Sequence, residues 1–417
     1  MPPELLIWLA AGFAILGIVL RPFDLTEAVW PAAAVVLLLI LHAITPETVL
    51  IGIGKGTDVY LFLTGMMLLA EIARTEGLFD WLAALATSHA GGSARKLFLL
   101  TYAVGTVVTI FLSNDATAVV LTPAVSAAVR TAKAQTPLPF LLACAFIANA
   151  ASFVLPISNP ANLVIYASRM PPLLQWLPQY FLASVLAIVA TYIVLRWTQR
   201  EALTQQIAAD VSMPILTMGG KTAAIGIAAT AIALLSASAL DIQLGLPTFI
   251  AGAATTAVVM IADPKKTWIV LKEISWGVLP LVAALFVLVE ALDQTGVIAD
   301  LAALLQRAVT QAPAAAAWGS GIAVAIVSNI ANNLPVGLFA AGAVHIAQPP
   351  EQVTRAVLIG VDLGPNLSVT GSLATILWLT ALRRDGQRVG ALAFLRLGIL
   401  IMPPALILAL AGALLVP

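Results

Sequence analysis

Two long apolar stretches of this chain are each broken near the middle by polar residues and a proline. The first, LFLLTYAVGTVVTIFL, runs into SNDATAVVLTP, and the second reads SGIAVAIVSNIANNLPVGL. Polar side chains and broken backbone persist at membrane depth only where protein or a water-filled cavity satisfies their hydrogen bonds. A matched pair of such breaks in two halves of a chain is typical of a transporter binding site. The residues that form the two breaks are Ser113, Asn114, Asp115, Pro123, Ser328, Asn329, Asn332, Asn333 and Pro335.

The composition places these breaks inside a membrane protein. Of the 417 residues, 61% are hydrophobic and 10% are charged, and the mean hydropathy is +1.03. Soluble domains carry about 25% charged residues. The 20 basic and 20 acidic residues cancel, so nothing indicates a nucleic-acid partner, and the lipid bilayer is the expected surrounding. The single cysteine, Cys144, excludes a disulfide framework or a thiolate metal cage within one chain, and we predict no cofactor and no metal.

Hydropathy predicts about ten membrane-spanning segments, several of them discontinuous. Two further apolar pairs, 94–132 and 314–347, carry the breaks, and each is either two spans or one re-entrant hairpin. The predicted spans are 5–20, 27–44, 57–75, 138–168, 174–198, 222–240, 244–262, 277–295, 352–383 and 389–416.

The distribution of basic residues favours the hairpins. If both pairs are re-entrant, sixteen of the 20 Lys and Arg residues fall on or near one side of the membrane. The positive-inside rule makes that side the cytoplasm. Both termini are then outside the cytoplasm, and the protein is predicted to be a multi-pass protein of the inner, or plasma, membrane.

The two halves of the chain resemble each other locally. GMMLLAEIARTEGLFDWLAAL at 65–85 aligns with ALFVLVEALDQTGVIADLAAL at 284–304, which matches Glu71 with Glu290 and Gly77 with Gly296. Matching the two SN dipeptides pairs Asp115 with Ile330. Units with an odd number of spans must lie in opposite orientations, so we predict an all-α inverted repeat with two re-entrant hairpins. Its halves are 1–198 and 222–417, joined by a cytoplasmic linker at 199–221.

Each half contains a second break. These breaks read ANAASFVLPISNPANLVIY and GVDLGPNLSVTGSLATIL. Proline and glycine open a helix and free carbonyl and N–H groups at its ends. We expect all four breaks to converge on one polar cavity that suits a small neutral polyhydroxyl solute, or an ion held by helix ends. The predicted substrate-binding residues are Ser113, Asn114, Thr117, Asn149, Ser158, Asn159, Asn162, Asn329, Asn332, Asn333, Asn366, Thr370 and Ser372.

Asp115 and Asp362 are the predicted proton-coupling residues. A carboxylate at membrane depth is costly to ionise without a partner, so its protonation can be coupled to transport. Glu71 and Glu290 lie near span ends, which favours a structural role for both.

The stretches SNDATAVVLTP, SNIANNLP and, above all, GVDLGPNLSVTGSLATILWL resemble the arsenite/antimonite efflux permeases of the ion transporter superfamily. The resemblance covers essentially the whole chain. It implies export of trivalent arsenite or antimonite in exchange for protons, with hairpins on a scaffold and an elevator-like motion. It also implies, as an option, association with a cytoplasmic arsenite-stimulated ATPase. A monomer and a homodimer both remain open.

Two alternatives compete with this interpretation. The first is a sodium- or proton-coupled transporter of another small ion or a carboxylate. A dicarboxylate site should contain a buried Arg or Lys, and the sequence places none inside a break. The second is a membrane enzyme or a non-transporting scaffold. An enzyme would need a nucleophile and base or a metal cluster, and none stands out in the sequence, so we predict a transporter and no enzymatic activity.

Overall fold

A computed structural model gives the structure of residues 2–166, 170–209, 213–240, 242–262 and 270–416. Residues 167 and 168 of one predicted span and residues 210–212 of the linker lie outside the described ranges. Within them the secondary structure is helical, apart from an isolated bridge between Ser93 and Gln206. The α-helices are α1 Pro3–Leu20, α2 Val29–Ile40, α3 Pro46–Lys55, α4 Thr57–Thr75, α5 Leu78–Ala90, α6 Ala94–Phe111, α7 Asn114–Ala116, α8 Thr122–Thr131, α9 Leu138–Ala150, α10 Pro160–Tyr166, α11 Leu173–Thr198, α12 Met218–Ala239, α13 Gly245–Ala262, α14 Val278–Asp293, α15 Val297–Gln311, α16 Pro313–Ala331, α17 Asn333–Ala347, α18 Glu351–Leu363, α19 Leu373–Arg384 and α20 Ala391–Leu414.

The predicted all-α polytopic fold is confirmed. The described residues hold seven helices long and apolar enough to span a membrane, or eight if α3 and α4, which meet at a 52° bend, form one span. Two of the seven, α6 and α16, are the first arms of the two broken segments. Every predicted span coincides with one helix or with a broken pair, as in α9 and α10 or α18 and α19. Helix α3 was not predicted, because its sequence PETVLIGIGK is short and carries charge at both ends.

The first break is the tip of a re-entrant hairpin, which we call hairpin 1 (94–131). Its two feet meet the same piece of the linker: Ile207 N donates to Gly92 O at 3.2 Å, and Ala208 N donates to Ala132 O at 2.7 Å. The Gln205 side chain bonds both the N–H and the carbonyl of Thr136 at 3.0 Å. Both feet therefore lie on one side of the membrane, under a strap formed by residues 205–208.

The second break is the tip of hairpin 2 (313–347). Its return helix α17 packs along α15, the helix that leads into its first arm α16. Gln306 Nε2 donates to Ala347 O at 3.4 Å, which brings the last residue of α17 back to the start of the hairpin. Hairpin 2 is therefore re-entrant as well, and its feet meet α15 instead of the linker.

The matched residues of the two halves occupy equivalent places. Gly77 precedes α5 with a φ of 76°, and Gly296 precedes α15 with a φ of 82°. Glycine is favoured at such positive φ angles because it has no Cβ to clash with the backbone. Both matched glutamates form ion pairs: Glu71 with Arg74 at 2.5 Å, and Glu290 with Lys55 at 2.5 Å.

The structure corrects the match between the hairpin tips. The helices break at Ser113 and at Asn332, so Asp115 corresponds to Leu334 and not to Ile330. This register is also the one that relates Gly77 to Gly296. Matching the SN dipeptides failed because Ser328 and Asn329 still lie within helix α16.

Glycines allow helices of the two halves to pack at backbone contact. Helix α4 runs against α13, and a Cβ placed on Gly65 would overlap the backbone of Thr248. A Cβ on Gly252 would in turn overlap the backbone of Gly65. Small residues allow such close approach of helices in membranes, where the hydrophobic effect contributes little to helix association.

This contact gives a stability prediction. Gly65→Ala should destabilise the fold by about 1–3 kcal/mol, because the new methyl group meets backbone and not a movable side chain. The measurement is the thermal unfolding midpoint of the purified protein in detergent. Gly12→Ala in α1 is the matched control, since a Cβ there meets nothing within 4 Å. Equal midpoints for the two variants would contradict the predicted overlap.

Candidate functional site

The four breaks meet around a small chamber of about 30 Å³, whose exposed lining is mostly apolar with a few polar groups. Most of its lining comes in pairs that the repeat relates to each other. Hairpin tips contribute Asn114 with Asn333 and Asp115 with Leu334, and the second breaks contribute Asn159 with Ser372. Leu63 and Val282, from α4 and α14, form a further apolar pair. The chamber has room for about one or two water molecules.

A larger cavity of about 540 Å³, the vestibule, leads to the chamber from one face. It runs between α4, α5, the return arm of hairpin 1 and α19. Asp115 and Pro160 line both spaces, so the two adjoin at the tip of hairpin 1. Ser113 faces the vestibule and not the chamber. A solute could therefore reach Asp115 from this face.

Each hairpin tip is held by its own side chains. Ser113 Oγ accepts from Ala116 N at 3.3 Å, and Asn114 Oδ1 accepts from Asp115 N at 2.9 Å. In hairpin 2, Asn332 has a φ of 68° and its Oδ1 accepts from Leu334 N at 3.3 Å. These caps satisfy N–H groups that a broken helix leaves free.

The second breaks of the two halves cross each other beneath the chamber. Asn149 Nδ2 donates to Asn366 Oδ1 at 3.0 Å, and Asn366 Nδ2 donates to Phe146 O at 3.0 Å. Asn159 Nδ2 donates to Asp362 Oδ1 at 2.7 Å. All of these side chains are buried, so the crossing fixes the position of one half against the other.

Several predicted site residues bond the protein itself and do not line the two cavities. Ser158 Oγ donates to Ile110 O at 3.0 Å, and Thr370 Oγ1 donates to Asn329 O at 2.8 Å, so each second break is tied to the hairpin of its own half. The remaining members of this group are Thr117, bonded to Thr109 at 2.8 Å, Asn162, bonded to Ser152 O at 2.9 Å, Asn329, which accepts from Ser368 at 2.8 Å, and Asn332, bonded to Thr370 O at 3.3 Å.

The two aspartates differ in setting. Asp115 opens onto both cavities, and among the described residues its carboxylate has no hydrogen-bond donor and no cation partner. Asp362 is fully buried; one carboxylate oxygen accepts from Asn159, and the other has no partner in the described protein. Asp362 occupies the place of Asn149 in the first half. At each of these two positions, one half of the repeat carries an aspartate and the other half carries an uncharged residue.

Other lining groups were not among the predicted site residues. Arg74 binds Glu71 through Nε and Nη2, and its Nη2 lies 4.0 Å from Glu273 Oε2 across the vestibule. Arg384 reaches the same space from α19. Thr375, a further residue that was not predicted, lines neither cavity; it accepts from Asn149 at 3.4 Å and bonds Ser372 at 2.9 Å. Ser372 is an N-cap residue whose side chain accepts from the N–H three residues later, and this pattern could have indicated Thr375. No local sequence pattern indicates that Glu273 and Arg384 line the same cavity.

The described residues contain no group of three or more His, Cys, Asp or Glu side chains able to hold a metal. Cys144 is buried in α9, and its Sγ donates to Phe140 O at 3.6 Å.

A cysteine in that position has no route to a transported solute. We therefore expect Cys144→Ser to keep at least about half of wild-type transport, since a small buried thiol acts mainly by packing. Solute uptake into vesicles at matched protein levels tests this, and loss of uptake with an unchanged unfolding midpoint would restore a thiolate role.

Comparison with known proteins supports a transporter fold. The family model described as citrate transporter matches residues 15–361. The arsenical pump membrane protein of Yersinia enterocolitica is 29% identical over 374 residues, and the one from Escherichia coli K12 is 28% identical over 375 residues. Each alignment covers 83% of this chain and 83% of the relative. The resemblance to arsenite permeases predicted from the sequence is confirmed.

Solved structures share the fold at lower sequence identity. The YdaH transporter of Alcanivorax borkumensis, described as having an unusual topology, superposes with a TM-score of 0.58 and 14% identity. That match covers 100% of this chain and 98% of the other. MtrF of Neisseria gonorrhoeae, described within a class of antimetabolite efflux pumps, gives a TM-score of 0.55 and 12% identity, covering 99% and 94%.

Proposed function

This chain belongs to the citrate transporter family of membrane proteins, and within it we propose that the chain exports trivalent arsenite and antimonite in exchange for protons. The observation that carries the proposal is the chamber, in which both hairpin tips and both second breaks present amide, hydroxyl and carboxylate groups. The arsenical pump names belong to the relatives, and they enter here as support for the solute.

The chemistry of the lining fits a neutral solute with several hydroxyl groups. Undissociated arsenious acid carries three hydroxyls and no charge at neutral pH. Asn114, Asn159, Asn333 and Ser372 can each donate and accept hydrogen bonds. The chamber itself is small, so the solute would bind where it adjoins the vestibule, beside Asp115. Weak hydroxyl and amide binding, in place of thiolate capture, suits rapid release.

The proposed cycle uses one of the two aspartates as the proton carrier. Asp115 or Asp362 loses its proton to the cytoplasm as arsenite binds. The hairpin-bearing bundle then shifts in an elevator-like alternating-access step, and external protons displace the solute. The basic residues at the vestibule face, Arg74 and Arg384, support placing that opening in the cytoplasm.

The proposed organisation follows the repeat. Residues 1–198 and 222–417 form the two halves, residues 199–221 form a cytoplasmic linker, and both termini lie outside the cytoplasm of an inner-membrane protein. A cytoplasmic arsenite-stimulated ATPase is a proposed optional partner. Either a monomer or a homodimer can house the site, because one chain supplies the whole chamber.

The test is arsenite uptake into everted vesicles under an imposed pH gradient, with a sodium gradient applied separately. We expect the pH gradient, acidic inside the vesicle, to drive arsenite accumulation and the sodium gradient to have no effect. Active, correctly oriented protein that accumulates no arsenite under either gradient would refute the assignment.

A sodium- or proton-coupled carrier of a carboxylate or another small ion is the second candidate, favoured by the family description and by the two vestibule arginines. Arg74 is already neutralised by Glu71, and the described lining of the chamber contains no Lys or Arg. A buried anion without a cation partner is costly. Citrate and arsenite uptake measured in the same vesicles would separate the candidates.

A further inference from the structure

A pocket of about 290 Å³ lies apart from the chamber and the vestibule, where hairpin 1, α11 and the linker meet. Arg95 comes from the first turn of α6, Arg196 from the last turn of α11, and Arg200 from the start of the linker. Arg196 and Arg200 lie one helical turn apart in sequence, whereas Arg95 is remote from both, so the convergence of Arg95 with the other two guanidinium groups is a property of the fold.

The three arginines lack acidic partners. In the described parts of the chain none of them forms an ion pair, whereas Arg74 and Arg130 do. Arg196 lies 6.0 Å from the ring of Tyr192, and Arg200 lies 5.6 Å from the ring of Trp197. Stacking on aromatic faces holds a guanidinium in place and leaves its N–H donors available for an anion.

The rest of the pocket is apolar and faces the bilayer. Ile193 is 58% exposed and Trp197 is 56% exposed, at the point where α11 changes from apolar to basic sequence. Tyrosine and tryptophan are typical of the level of lipid headgroups. An occupant with an anionic end and an apolar end would therefore satisfy both parts of the pocket.

We propose that this pocket binds the phosphate of an anionic phospholipid from the adjacent leaflet. The arginines hold the phosphate, and Ile193 and Trp197 contact the glycerol and the first acyl carbons. Basic pockets between membrane helices bind anionic headgroups in this way. The wall is firm, because Tyr192 packs against Phe98 and Tyr102 of α6 with ring centroids 5.7 and 5.2 Å apart. The bound lipid would connect a foot of hairpin 1 to α11 and the linker.

The experiment measures lipid binding to the purified full-length protein by native mass spectrometry. Phosphatidylglycerol, phosphatidylcholine and inorganic phosphate are each added to the wild type and to the triple variant Arg95→Gln, Arg196→Gln, Arg200→Gln. The matched control is a second triple variant, which removes the same amount of charge from exposed positions outside the pocket: Lys221→Gln, Lys272→Gln, Arg388→Gln. We expect the wild type and the control to bind phosphatidylglycerol and the pocket variant to bind it at least about tenfold more weakly.

Other results would overturn the proposal. These are equal loss of binding in the two triple variants, equal binding of phosphatidylcholine and phosphatidylglycerol, or phosphate that displaces the lipid at equal concentration. If the pocket variant does not fold, Arg200→Gln alone serves, with an expected loss of about fivefold. Arg200 does not line the chamber, so its substitution leaves the proposed transport site intact. The lipid-binding measurement therefore does not depend on transport activity.

Discussion

Asp115→Asn is expected to abolish proton-driven solute accumulation while the protein stays folded. Asparagine keeps the shape of the side chain but cannot exchange a proton with the vestibule. The carboxylate has no hydrogen-bond donor or cation partner among the described residues, so its loss breaks no internal contact. We expect pH-driven arsenite accumulation in everted vesicles to fall to the level reached without a pH gradient.

Two variants act as controls for this prediction. Asp80→Asn removes an exposed carboxylate from the same vestibule and should leave coupling intact. Asp115→Glu keeps a titratable group at the junction and should retain part of the activity. Wild-type pH dependence in Asp115→Asn would remove this residue as a proton carrier.

Asp362→Asn should also abolish coupled transport, although the setting of this side chain differs from that of Asp115. The side chain is fully buried, and its Oδ1 accepts from Asn159 while its Oδ2 has no partner in the described protein. An asparagine oxygen can still accept from Asn159, so the crossing of the second breaks is retained. Only the ability to take up and release a proton is lost, and accumulation under a pH gradient should again fall to the level reached without one.

Asn366→Ala separates this effect from a structural one. That change removes the bonds to Asn149 and Phe146 O and should lower the unfolding midpoint, because it leaves buried polar groups unpaired. The fraction of correctly folded Asn366→Ala protein should keep its pH dependence. A similar loss of midpoint in Asp362→Asn, with pH dependence unchanged, would make Asp362 a purely structural residue.

Hydropathy and charge predicted most of the fold because both are local properties of the sequence. The re-entrant hairpins followed from the positions of basic residues, and the feet of hairpin 1 at Gly92 and Ala132 agree with that prediction. Helix α3 was missed because it is short, and the hairpin tips were misaligned because Asn329 resembles a tip residue yet lies inside α16. The contacts of strap residues such as Gln205 could not be predicted, because their partners are remote in sequence.

The site was harder to predict than the fold. Composition shows which residues are polar, but a cavity depends on the direction of each side chain. Asn114 and Asn159 face the chamber, whereas Asn162 and Asn329 bond backbone carbonyls of the protein. Residue type alone does not distinguish these two groups. The pairing of Asn114 with Asn333 required the true register of the repeat.

The unequal pairs of the repeat have an electrical consequence. Asp115 and Asp362 correspond to the uncharged residues Leu334 and Asn149, so the mobile charge at the centre of the protein is not balanced by symmetry. If a neutral solute leaves while a proton enters, each cycle carries one elementary charge inward. A membrane potential of 100 mV contributes about 2.3 kcal/mol per charge. The carrier would therefore be electrogenic, and an inside-negative voltage alone, with no pH difference, should drive efflux.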